Sequence, residues 1–166
     1  MNDEFIDTST AELSAIELSP DFEAAASAAW AAPESPDQYR FSLPHLNGAK
    51  PEEIMAGMTA FKTAAHRMGL PVPIARHLAE EISRGIARRG NDHVDSAALA
   101  VGAAKSLEIL ERTYGAEADK MLHETAALLN LAATPELEDL LERSGVTNDP
   151  WLIATLSNVY RVRAGR

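Results

Sequence analysis

The chain of 166 residues contains no cysteine. That excludes disulfides, thiolate metal sites and thiol nucleophiles. No window approaches the roughly eighteen uninterrupted apolar residues of a transmembrane helix, and Met1-Asn2-Asp3-Glu4 is acidic where a secretory signal would be basic and then apolar. Both absences lead to the expectation of a soluble, cytoplasmic protein without membrane partners. Aromatic residues are also scarce, at 5% of the chain, while 46% of residues are apolar and alanine is used heavily. Such a composition favours closely packed helices over a core of large interlocking side chains, and the expected class is all-α.

Catalytic motifs are missing as well. His45, His66, His77, His93 and His123 form no His-Glu-x-x-His pair and no other recognised metal spacing. His77 with Glu81 and Lys120 with Glu124 stand four apart, the ordinary spacing of surface ion pairs on a helix. Gly85 to Gly90 lacks the Lys-Ser/Thr step of a phosphate loop, and Glu80 and Glu81 are neighbours that point to different sides of a helix. A non-enzymatic protein is expected, with no catalytic residue, metal or cofactor.

Charge is unevenly spread around a net −10. Residues 1–46 hold nine acids against Arg40 alone, a balance of −8, which leaves only −2 for the rest. An acidic, Ser/Ala/Pro-rich leader with few large apolar residues buries too little surface to offset its ordering entropy, so a largely flexible segment is expected over 1–46. It would repel phosphate, which argues against nucleic-acid binding. Two islands stand out within it. Ala24 to Ala32 with Trp30 suits a transient helix, and Tyr39, Phe41 and Leu43 alternate with polar residues before Pro44, as in an extended docking segment. Tyr39, Phe41 and Leu43 can serve recognition of a partner or simply pin the leader onto the body.

From Pro51 the pattern becomes helical, and residues 47–132 form the expected body. Ile54, Met58, Phe61, Ala65 and Met68 define the first face and Gly69 ends it; Pro73 opens a second helix with Ile74, Leu78, Ile82 and Ile86. A third helix spans about Asp95 to Tyr114, on Leu99, Ala103, Leu107, Leu110 and Tyr114. A fourth spans about Ala116 to Leu131, on Ala118, Met121, Leu122, Thr125, Leu128 and Leu129. Short connections favour hairpins or shallow crossings between neighbours. The face from Ile54 to Met68 also offers a seam for weak self-association.

Residues 133–166 carry the fullest punctuation. Thr134 can cap a helix that begins at Pro135, Leu137, Leu140 and Leu141 give it one stripe, and Gly145 can close it in the left-handed conformation. Asp149, or Asn148, caps a last helix beginning at Pro150, with Trp151, Leu152, Leu156 and Val159 or Tyr160 as its apolar face and Arg161, Arg163 and Arg166 at its end. Helices this short need packing on each other, on the preceding helix or on a partner. The expected whole is about six helices with an acidic leader and a C-terminal helical hairpin that ends in a basic tail.

Together, Glu108 to Gly115 (Glu-Ile-Leu-Glu-Arg-Thr-Tyr-Gly), a leucine-rich helix, Pro135-Glu136-Leu137, and Leu140 through Ile153 with its Asn148-Asp149-Pro150 turn resemble the C-terminal half of scaffolding, or capsid-assembly, proteins of tailed phages and prophages. The Tyr39-to-Pro44 element resembles their upstream part. Thr147 stands where glycine is common, and Asp149 replaces histidine. The resemblance implies a non-catalytic factor of virion morphogenesis that binds the major coat protein transiently, guides procapsid assembly in the bacterial cytoplasm, and contacts coat protein through its C-terminal hairpin. Arg161, Arg163 and Arg166 would then supply reversible charge contacts, with Trp151 and Tyr160 as apolar anchors. Trp151 also suits core packing, and the arginines a solvated tail that complements the helix dipole. A helical adaptor or regulatory protein that binds another protein through the hairpin remains as an alternative. A DNA-reading helix-turn-helix is a weaker third, because the last helix lacks polar base-reading residues at its N-terminal end.

Overall fold

The computed structural model describes residues 30–41, 50–89 and 95–165. Within them lie six α-helices: α1 (Pro51–Met68), α2 (Val72–Arg89), α3 (Ser96–Tyr114), α4 (Glu117–Asn130), α5 (Pro135–Ser144) and α6 (Pro150–Arg163). Two 3-10 turns, Pro36–Gln38 and Val146–Asn148, complete the secondary structure, and there is no strand among the described residues. The all-helical expectation holds. Leu43, Arg166 and the leader up to residue 29 lie outside the described residues.

The helix boundaries follow from local chemistry. The Thr134 hydroxyl accepts from the Leu137 amide at 3.2 Å, Asp149 accepts from the Trp151 amide at 2.9 Å, and Asp95 accepts from Ala97 at 2.9 Å. Each satisfies an amide that has no partner inside the helix. Gly69 and Gly145 close α1 and α5 at φ of 68° and 65°, where a β-carbon would be strained.

The most extensive helix-to-helix contacts are between α4 and α6, between α2 and α5, and between α1 and α5. The short C-terminal helices thus part company: α5 lies on α1 and α2, whereas α6 lies on α4 and the end of α3. The expected hairpin is a chain reversal whose two arms find their main partners elsewhere. Glycine makes one of these contacts possible. A β-carbon on Gly85 would overlap the Ser144 carbonyl, so α2 carries glycine where the end of α5 crosses it.

The main core runs from Tyr39 to Leu156 and includes Phe61, Met68, Leu78, Ile82, Leu128, Leu137 and Leu152. Phe61, Ala65 and Met68 are fully enclosed there, while Ile54 and Met58 of the same face are partly buried against the core. A smaller cluster joins Leu110, Ala118, Met121 and Ile153. α3 contributes little to either, since only Ser106 and Leu110 of its residues are buried. Its tether is polar: the Asn148 side chain donates to the Leu99 carbonyl at 2.9 Å, and the Ser106 hydroxyl donates to the Asn148 carbonyl. Gly102 leaves room for that amide, which a β-carbon would crowd at 2.9 Å.

Tyr39 is enclosed, and its hydroxyl donates to the Leu70 carbonyl at 2.7 Å. Phe41 packs edge-on between Tyr39 and Phe61, with ring centroids 5.9 and 5.7 Å away. Burial pushes the Tyr39 phenol up to about 12, because the phenolate would lose its hydration. The Tyr39 and Phe41 element is therefore a pin that fastens the leader to the start of the helical body.

Candidate protein-binding groove

α6 has two apolar sides. Leu152, Ile153, Leu156 and Ser157 face inward and are buried. Trp151, Thr155, Asn158 and Val162 recur at spacings of four, three and four, which puts them in one row on the opposite side. That row forms a wall of an open groove of about 730 Å³, completed by Ile74 and Pro71 at the start of α2, Gly69, and the Trp30 to Ala32 segment. Trp30, Trp151 and Val162 are 61%, 44% and 79% exposed. Large apolar side chains gathered at this exposure mark a surface suited to a partner.

Trp151 is thus not a core residue. Its ring meets His77 edge-on at 4.4 Å, which fixes the indole against α2 while leaving its groove side open. Its main-chain amide is satisfied by Asp149, so the same turn that starts α6 also aims the indole. Tyr160, the second expected anchor, is half-buried and packs against the main core.

The arginines divide differently from the sequence-based expectation. Arg161 turns inward: its Nε donates to the Glu124 carboxylate at 2.6 Å and its Nη2 to Glu117 at 3.2 Å. Glu124 is buried and also accepts from Ser157 at 2.7 Å, although its Oε1 has no hydrogen-bond partner among the described residues. Burial pushes this carboxyl up, but the bonds from Ser157 and Arg161 and the charges of Arg161 and Lys120 outweigh it and hold the group below its usual range. The bond to Glu124 in turn pushes the Arg161 guanidinium further up. Arg161 is accordingly a tie between α6 and α4 and not a free contact. In place of the surface pair expected between Lys120 and Glu124, Lys120 lies against Glu117 at 3.8 Å, three positions earlier, and Glu124 takes Arg161.

Arg163 donates to the Arg67 carbonyl at the end of α1, where the helix dipole favours a cation, and among the described residues it is the one charged side chain on the groove lining. The basic tail is therefore anchored at Arg161, bound at one end of the groove at Arg163, and outside the described residues at Arg166. The sequence alone marks Trp30 as part of a transient helix and Ile74 as part of a helical face, neither as a groove residue, and it does not single out Thr155, Asn158 or Val162. The signal for these three was present: a row that starts at Trp151 and repeats on the side of α6 opposite its leucines.

No group of three or more His, Asp or Glu side chains suited to a metal occurs among the described residues, and no described helix is long and apolar enough to cross a membrane. In comparisons with known proteins the chain matches no family model, no curated protein and no solved structure.

Proposed function

We propose that this protein is a non-enzymatic assembly factor of the scaffolding type, which holds coat protein transiently through the groove walled by Trp151. The observation that carries the binding part is the cluster of Trp30, Trp151 and Val162, large apolar groups left open to solvent on an otherwise well-packed helix pair. Aromatic side chains presented on a rigid support are the usual energetic centres of protein interfaces. The assembly role itself rests on the resemblance of residues 36–163 to phage scaffolding proteins.

Trp151 and Val162 supply apolar contact, and Arg163 at the groove end supplies a charge for an acidic flank of the partner. Arg161 supports the site from behind by fixing α6 on α4. Modest apolar area with one rim charge suits a contact that must later be released, since area alone does not set affinity and exposed charge pairs are screened by salt.

The test is co-expression with a candidate coat gene from the neighbourhood of this one, followed by imaging of the particles. Closed shells of uniform size with this chain, and aberrant or fewer shells without it, would support the reading. Uniform shells in its absence would contradict it.

A further inference from the structure

The described chain begins at Trp30, and Trp30, Ala31 and Ala32 themselves line the groove. Residues 1–29 are therefore attached at its edge. They carry seven acids and no Lys, Arg or His, and their apolar residues include Phe22, eight positions before Trp30. Among the described residues, Arg163 is the one charged side chain on the groove lining, and the adjoining hollow that shares Ala31 and Ala32 is bordered by Arg76 and Glu34. Charge and position thus agree. A segment of eight residues reaches from roughly 12 Å as a helix to about 27 Å when extended, enough to bring Phe22 back along α6.

From these observations we propose that the chain's own residues 1–29 occupy the groove in the free protein, with Phe22 against the row of Trp151 and Val162 and with Asp21 and Glu23 towards Arg163. The leader then acts as a built-in competitor. Tethering gives it a high effective concentration at the groove, so a partner must displace it before binding, and weak partners are refused. The competition part rests on the partner groove proposed above, whereas occupancy by residues 1–29 is a property of the free chain and can be tested without any partner.

The chain lacks cysteine, so Ser19→Cys provides a single attachment point for a spin label in the full-length protein. The Trp151 indole and Val162 methyl resonances should lose most of their intensity when the label is active, and those of Val101 on the exposed side of α3 should not. Asp21→Lys with Glu23→Lys should restore much of the lost signal. Full intensity at Trp151 and Val162 would overturn the proposal, and so would equal loss at Val101. A mixture of spin-labelled chains with isotope-labelled, unlabelled chains separates the remaining case: loss appearing there would mean that a second copy supplies the segment, which also overturns it. Failure of this test leaves the coat-protein test untouched, and the reverse holds as well.

Discussion

On one side of α6, Leu152, Ile153, Leu156 and Ser157 are sealed against α4 and the core; on the other, Trp151, Thr155, Asn158 and Val162 line an open groove. The helix is the same and so is its local chemistry, with one cap, one proline and one rise per residue. The difference lies in what each side meets. The inward row finds α4, including the Glu124 carboxylate that bonds Ser157 and Arg161. Among the described residues, the outward row meets Gly69 at the end of α1, the start of α2 and the Trp30 segment, which leave it open. An apolar row that the fold leaves open is informative in a way that a buried one is not, because packing alone explains the buried one.

The contrast predicts a ladder of stabilities. Leu156→Ala, on the inward side, removes a fully enclosed side chain from the main core and should cost about 2–5 kcal/mol in denaturant unfolding. A cost near zero would mean that the inward row is not the one holding α6.

Arg161→Met should come next. It leaves the buried Glu124 carboxylate with Ser157 as its remaining hydrogen-bond donor. The sign of its pH dependence follows from Glu124. A carboxyl held below its usual value of 4.5 in the folded state adds stability that is complete above that value. That stability is lost as pH falls through the lower folded value. The wild-type melting temperature should therefore fall on acidification below about pH 4.5, and the Arg161→Met variant should lose much of that dependence. Identical acid profiles would remove Arg161 from the structural side of the helix.

Asn148→Ala is a smaller step. Losing the bond to the Leu99 carbonyl should cost roughly 1 kcal/mol, with faster amide exchange concentrated in α3, whose buried contacts are few. Uniformly faster exchange through all the helices would instead make Asn148 a global core element.

Much of the inward side was legible in the sequence. Thr134, Asp149, Gly69 and Gly145 act by short-range rules, and Ile74, Leu78, Ile82 and Ile86 mark a face by spacing alone. Three things were not legible, for a common reason. Arg161 looks like part of a basic tail until Glu124, 37 positions earlier, is brought beside it. Asn148 looks like a cap until α3 presents the Leu99 carbonyl and the space at Gly102. Trp151 fits a core or a surface equally well until the neighbours of α6 are known. Each depends on long-range placement, which periodicity does not encode. The separate partners of α5 and α6 belong with these, since a short linker suggests a paired hairpin whether or not the two arms pack on each other.

The outward side stands at the bottom of the ladder of stabilities and is the side proposed to bind a partner, and Val162→Asp isolates it. Val162 is 79% exposed, so the substitution should change unfolding free energy by no more than about 0.5 kcal/mol. The most direct measurement of the proposed role is shell formation with a candidate coat protein, for wild type and Val162→Asp side by side, with melting temperature recorded for both. The account predicts unchanged melting and a marked loss of uniform shells; unchanged melting with undiminished shells would show that the groove on α6 is not where this protein binds.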